Sequence, residues 1–206
     1  MTGIFIAFEG GEGGGKSTQA RLLTETLLAQ GREVVRTREP GGTPAAEAIR
    51  AVLLDPANDG LDARAEALLF AAARGEHVGR VIRPALDRGA VVITDRYVDS
   101  SLAYQGVARE LGVDRVLELS MWATGGLLPD LTFVLDIDPA VGLARVTDPN
   151  RLEAESLEWH RMVRGAFLDL AAREPQRYVV LDATRPVEDL ASVIAAAVAT
   201  AITTRS

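Results

Sequence analysis

Five short apolar runs punctuate the chain: "GIFIAF" (3–8), "EVVRT" (33–37), "AVVIT" (90–94), "LTFVLDI" (131–137) and "YVVLD" (178–182). Each is nearly continuous rather than alternating, the pattern of a strand covered on both faces. Between and beyond them lie stretches that read as helices, over 16–30, 44–54, 62–87, 113–124, 153–173 and 187–203. Strands alternating with helices predict βαβ units, so the expected fold is α/β, a five-stranded parallel sheet with helices on both faces. Glycine and proline fall mainly at the joints, as in "REPGGTP" and "LLPD". No repeat, low-complexity segment or linker interrupts the pattern, which predicts a single domain over 1–206. "RVTDPNR" (145–151) is polar and turn-prone and predicts a surface loop between two helical runs.

Composition narrows the function classes. The chain has 206 residues, 48% of them hydrophobic, enough for one sizeable core. A net charge of -7 argues against a sequence-independent grip on nucleic acid. There is no cysteine, hence no disulfide or thiolate metal site, and two histidines, His77 and His160, do not make a multi-histidine centre. The start, "MTGIFIAFEGG", lacks the basic opening and long apolar run of a signal peptide. The longest apolar stretch, "LASVIAAAVATAITT" (190–204), is short and rich in small residues, which predicts a terminal helix packed on the core rather than a membrane span. The expectation is a cytoplasmic chain with neither a membrane nor a nucleic-acid partner.

The strongest chemical signal follows the first strand. "FEGGEGGGKSTQ" (8–19) places five glycines in the six positions from Gly10 to Gly15, then Lys16, the only lysine among 22 Lys and Arg residues, then two hydroxyls. Gly10 to Ser17 fits G-x-x-x-x-G-K-[ST] between a strand and a helix, the context that this phosphate-binding motif requires. Glycines let the backbone turn its N–H groups toward one point, and the helix adds its positive end. The expected cradle for a nucleoside triphosphate is therefore Gly10, Gly11, Glu12, Gly13, Gly14, Gly15, Lys16, Ser17 and Thr18. Lys16 is placed to reach the β- and γ-phosphates and Ser17 to ligate Mg²⁺. Glu12 does not fit so easily, because a carboxylate repels phosphate. It faces either a second substrate across the loop or solvent.

Other segments end at the same sheet edge. "VVITDRYVDSS" puts Asp95 where the third strand stops, a usual place for a carboxylate that holds Mg²⁺, and points Arg96 into the crevice. The plainer alternative is an Asp–Arg surface pair. "TREPGGTP" (37–44) makes a tight turn after the second strand and leads into a helix carrying Arg50. "ALLFAAARGEH" (67–77) places Phe70 and Arg74 at i and i+4, where an aromatic and a guanidinium can hold a base. The alternative there is a core Phe70 and a solvated Arg74.

Taken together, "FEGGEGGGKSTQ", "TREPGGTP", "LLFAAARGEH", "TDRYVDSSLAYQG" and "DLTFVLDIDP" run in order from 8 to 139, and "EWHRMVRGAFLDLAAREPQRYVVLDA" continues to 183. On these segments the chain resembles the bacterial thymidylate kinase family, P-loop enzymes that phosphorylate dTMP to dTDP with ATP and Mg²⁺. The resemblance implies that Phe70 stacks on thymine and Arg74 bonds its O4 edge, with Ser101 and Gln105 lining the base pocket. It implies Tyr104 against the deoxyribose, Glu12 at the 3′-hydroxyl, Arg50 and Arg96 on the dTMP phosphate, and a homodimer built by helix packing.

One departure stands out. Family members without a P-loop arginine usually carry an arginine-rich lid, whereas "ARVTDPNRLE" (144–153) offers only Arg145 and Arg151, in a short lid at about 145–152. Arg151 is the one expected over the transferred phosphoryl group, with Arg145 near adenine. The nearest rival is another P-loop deoxynucleoside or nucleoside monophosphate kinase, which needs a different base pocket. A GTPase-type switch expects N-K-x-D, absent from a chain whose sole lysine is Lys16. A P-loop relic without turnover leaves the joint presence of Glu12, Arg50, Phe70, Arg74 and Arg96 unexplained.

Overall fold

In the computed structural model, which describes residues 3–205, all five runs are strands: β1 (Ile4–Glu9), β2 (Val34–Arg38), β3 (Val91–Asp95), β4 (Leu131–Asp136) and β5 (Tyr178–Asp182). They form one parallel sheet in the order β2-β3-β1-β4-β5, with Ile4 level with Val91 and Ile6 level with Leu131. The helices are α1 (Lys16–Ala29), α2 (Pro44–Leu54), α3 (Ala63–His77), α4 (Arg83–Asp87), α5 (Val98–Ser101), α6 (Val113–Thr124), α7 (Pro139–Leu143), α8 (Leu157–Arg173) and α9 (Val187–Arg205).

β1 shows how the sheet is clad. Ile4, Ile6 and Phe8 point to one face, among Leu23 and Leu27 of α1 and Ile194 and Val198 of α9. Phe5 and Ala7 point to the other, among Ile82, Tyr97 and Val116. Each such large apolar side chain contributes about 1.5–3 kcal/mol by leaving water. Burial on both faces holds for β1, β3 and β4 but not for the two edge strands. β2 exposes Arg36 and Arg38, and β5 exposes Val180 and Asp182, because an edge strand is flanked on one side only and less fully covered.

The helices depart from expectation in several places, among them a short unpredicted helix, α7. The segment 62–87 is not one regular helix: a π-helical stretch, Val78–Ile82, separates α3 from α4. Pro84 lacks an N–H and its ring crowds the carbonyl four residues back, so the preceding turn widens. α8 starts at Leu157, where the Ser156 hydroxyl accepts from Trp159 N at 3.2 Å and caps the helix. The segment 98–108, without apolar periodicity, is helical as α5 plus a π-helix, Leu102–Ala108. By length and mean hydropathy (1.5) the window Val187–Thr204 of α9 could cross a membrane, so it is not too short. Leu190, Ile194 and Val198 nevertheless bury in the core, as expected of a packed terminal helix.

Parallel strands bring all their carboxyl ends to one edge. The strand order turns back beside β1, and a crevice opens there.

Candidate active site

The turn after β1 is built on close backbone approach. A Cβ on Gly13 would lie 2.1 Å from the carbonyl oxygen of Gly142 in α7, and one on Gly142 would lie 2.2 Å from that of Glu12. Only glycine lets the two segments pass. Gly15, at φ 87°, leads into α1, whose N-terminus has no side-chain cap and no acidic residue in its first turn. Its N–H groups are left for an anion. Lys16 folds back into the loop, and its Nζ donates to the carbonyls of Gly10 (3.1 Å) and Gly11 (2.6 Å). Burial, and Arg96 nearby, lower its pKa. Ser17 Oγ donates to Asp95 Oδ2 at 2.5 Å, joining the start of α1 to the end of β3. Gly13 to Thr18, with Glu12 and Asp95, line a cavity of about 430 Å³.

Glu12 does not face solvent. Its Oε1 accepts from Arg96 Nη2 at 2.6 Å and from the Tyr104 hydroxyl at 2.7 Å. Burial works against its charge, but Arg96, Lys16 and that hydroxyl outweigh it and hold the carboxyl down to about 2. Arg96 also donates through Nη1 to Gly10 O (3.1 Å) and Ser100 Oγ (3.2 Å), with its Cζ 5.1 Å from the Tyr104 ring centre. Its backbone is left-handed, φ 71°, which costs about 1–3 kcal/mol in a non-glycine residue. Arg96 N, bonded to Phe8 O at 2.9 Å, and Glu9 beneath it hold that geometry. The fully buried Glu9 takes the N–H groups of Tyr97 (2.7 Å) and Ser100 (3.2 Å) and the Ser100 hydroxyl (2.6 Å). Burial and neighbouring Asp99 push the Glu9 carboxyl up to about 7.

At the far end of the cavity Phe70, 9% exposed, is both core and wall: it packs with Leu53 and Tyr104 and lines the space. Arg74 is buried, not solvated. It donates to Glu39 (Nε, 2.6 Å), Ser101 Oγ (Nη1, 3.0 Å) and Tyr97 O (Nη2, 3.0 Å). Glu39 is shared with the buried His77, whose Nδ1 lies 2.9 Å from Glu39 Oε1 and whose Nε2 lies 2.7 Å from Thr37 Oγ1. Ser101, Tyr104 and Gln105 line the same cavity; Tyr104 and Gln105 come from the π-helix and Ser101 from the turn of α5 before it. Arg50 reaches the wall from α2, with Nη1 on Pro40 O at 2.9 Å.

The two lid arginines part company. Arg145 is exposed and its Nη1 donates to Gly13 O at 2.9 Å, over the phosphate turn. Arg151, expected over the same turn, is instead 5% exposed and faces away from it. Its Nε donates to Leu53 O at 3.1 Å and its Nη2 lies 2.7 Å from Glu66 Oε2, an ion pair in contact without hydrogen-bond alignment. The loop therefore begins exposed and ends buried, because a buried carboxylate on α3 draws in the guanidinium.

Sequence reasoning missed Glu9, Glu39, Glu66 and His77. Glu9 and Glu39 lie inside quoted motifs, but nothing in a linear pattern shows that an acid will be buried under its neighbours. Among the described residues no group of three or more His, Cys, Asp or Glu is set to hold a metal.

Comparison with known proteins places the chain among relatives of one family. The thymidylate kinase family model matches residues 8–194. The thymidylate kinase of Leifsonia xyli subsp. xyli is 57% identical over 196 residues, 93% of this chain and 92% of that protein. That of Symbiobacterium thermophilum is 57% identical over 189 residues, 91% and 88% of the two chains. A crystal structure of thymidylate kinase from Ehrlichia chaffeensis superposes with a TM-score of 0.74 at 36% identity, covering 88% of this chain and 93% of that one.

Proposed function

The chain belongs to the thymidylate kinase family and phosphorylates dTMP to dTDP with ATP as donor; on that premise we propose how its own residues divide the work. The observation that carries the division is one continuous cavity running from the phosphate turn to Phe70 and Arg74, with Glu12 and Arg96 between. ATP phosphates sit in the turn from Gly10 to Thr18. The dTMP phosphate lies on Arg96 and Arg50, its sugar against Tyr104 and Glu12, and its base on Phe70, Arg74, Ser101 and Gln105.

An ionised phosphate oxygen of dTMP attacks the γ-phosphorus. A new P–O bond forms there and the bond to the β-phosphate bridging oxygen breaks, leaving ADP. No strong base is needed, so the protein aligns the groups and neutralises spreading charge. Lys16, released from the Gly10 and Gly11 carbonyls, follows the phosphoryl group, and Arg96 holds the acceptor. Arg145, already over Gly13, is the lid guanidinium nearest the donor phosphates. Ser17 and Asp95 suit Mg²⁺: two hard oxygen ligands side by side, for an ion that takes few protein ligands and fills its shell with phosphate and water. Held there, Mg²⁺ would supply positive charge to offset the charge that spreads over the donor phosphates.

The reading extends to a single kinase domain over 1–206 with a short lid near 145–152, working as a cytoplasmic homodimer. The outer faces of the adjacent helices α2, α3 and α6 support the dimer: they expose Val52, Leu68 and Trp122, the last 84% accessible. The net charge of -7 supports small-molecule substrates rather than nucleic acid.

An ADP-release assay with dTMP, AMP, CMP and GMP tests the assignment. Turnover is expected to require Mg²⁺ and to favour dTMP strongly, and to be nearly abolished in Lys16→Ala with the fold intact. Equal turnover of AMP, or full activity in a folded Lys16→Ala protein, refutes it.

A further inference from the structure

Glu66 lies outside the cavity wall yet bonds to one of the residues that form it, Gln105. It stands on α3 one turn before Phe70 and two before Arg74, so the three share a helix face. It is fully buried. Oε1 accepts from Gln105 Nε2 at 2.8 Å and lies 3.4 Å from Arg109 Nε; Oε2 lies 2.7 Å from Arg151 Nη2 and 3.5 Å from Arg109 Nη2. Two guanidinium groups thus keep Glu66 an ion-paired carboxylate, which can only accept hydrogen bonds.

That decides the direction of Gln105. A primary amide has a donor end and an acceptor end, and its neighbours choose between the two orientations. Glu66 has no hydrogen to give, so Gln105 turns its NH₂ toward it and its Oε1 the other way. Among the described residues no donor is bonded to that oxygen, and Gln105 lines the cavity. Arg74, on the same wall, offers donors only. The base end therefore presents a donor from Arg74 and an acceptor from Gln105. Thymine carries the complement, an accepting O4 and a donating ring N–H. Cytosine carries the reverse, an exocyclic NH₂ and an accepting ring nitrogen.

We propose that Glu66, without touching substrate, is a specificity-positioning residue: it fixes the Gln105 amide so that the pocket takes a pyrimidine with a ring N–H and refuses one without. This rests on the reading that Gln105 lines the base pocket.

The test is calorimetric titration of dTMP and dCMP into the wild type, Glu66→Gln, Gln105→Leu and the double variant. Gln at position 66 has one oxygen where Glu has two, contested by Arg109, Arg151 and Gln105, so the Gln105 amide is freed to turn. The ratio of dCMP to dTMP dissociation constants is expected to fall about tenfold or more in Glu66→Gln, and not to fall further when Glu66→Gln is added to Gln105→Leu. A lower melting temperature with an unchanged ratio makes Glu66 purely structural and overturns the proposal. Unchanged dTMP affinity in Gln105→Leu instead refutes the base-pocket reading, and the proposal with it. Should Glu66→Gln not fold, the exchange variant Glu66→Gln/Gln105→Glu keeps one carboxylate in the pair and an acceptor toward the cavity. It is expected to prefer dTMP as the wild type does, and loss of that preference also overturns the proposal.

Discussion

Glu12 and Arg96, 84 positions apart in the chain, meet at 2.6 Å in the wall of the cavity beside the glycine-rich turn. An acid among the glycines of a phosphate cradle is thereby turned away from the phosphates. It becomes the partner of the one arginine whose strained backbone aims it into the crevice.

Replacing Glu12 with Gln keeps the shape and removes the charge. Loss of a charge-assisted bond costs about 1.5–3 kcal/mol, so kcat/KM for dTMP is expected to fall about ten- to a hundredfold with ATP affinity little changed, as steady-state kinetics will read. Glu12 also shapes acid stability. Its carboxyl is held at about 2 in the fold against 4.5 for the free group, so its contribution is complete above 4.5 and is lost as pH falls toward 2. Acid titration of Glu12→Gln should lack that part of the decline.

Glu9 predicts the opposite slope. Its carboxyl titrates near 7 in the fold and near 4.5 when unfolded, so the folded state holds a proton that the unfolded state has released. Stability is expected to fall as pH rises from 4.5 to 7. Glu9→Gln retains an acceptor for the Tyr97 and Ser100 N–H groups and turns its NH₂ toward the Ser100 hydroxyl oxygen, which then accepts instead of donating. It should flatten that slope and be the more stable protein at pH 8. Chemical denaturation at several pH values decides it, and parallel slopes in both proteins would remove the argument.

The lid arginines should fail in different ways. Arg151→Ala strips a partner from a buried carboxylate, which typically costs about 3–5 kcal/mol, so its melting temperature is expected to drop sharply while kcat, measured well below that temperature, is largely kept. Arg145→Ala removes an exposed side chain over Gly13 and should leave the melting temperature unchanged and lower kcat. The reverse outcome would return the phosphoryl role to Arg151.

Trp122 is the most exposed large apolar side chain of the structure's outer helices, and it tests the dimer. Trp122→Glu is expected to sediment as a monomer at concentrations where the wild type sediments as a dimer. A monomeric wild type would refute the helix-packed homodimer.

Much of this protein is legible along the chain because it is local. Continuous apolar runs bounded by glycine and proline located all five strands, and α2, α6 and β5 fall where their patterns predict. The phosphate turn is contiguous, so its glycines, its lysine and its hydroxyl can be read together, and Asp95 and Arg96 follow from where a strand stops. What resists linear reading is whatever depends on residues far apart meeting in a space without water. Glu12 and Arg151 could not be settled by spacing: one faces Arg96 and the other faces Glu66, 85 residues before it. The helical path of 98–108 was hidden because its buried side is partly polar, with Ser100 satisfied by Glu9, Ser101 by Arg74 and Gln105 by Glu66. The strands, the cradle and the order in which groups reach the sheet edge can all be read along the chain, because each follows from neighbouring residues. Which carboxylate each guanidinium meets emerges in the folded molecule alone, because a buried charge must find its partner wherever the fold brings one within reach.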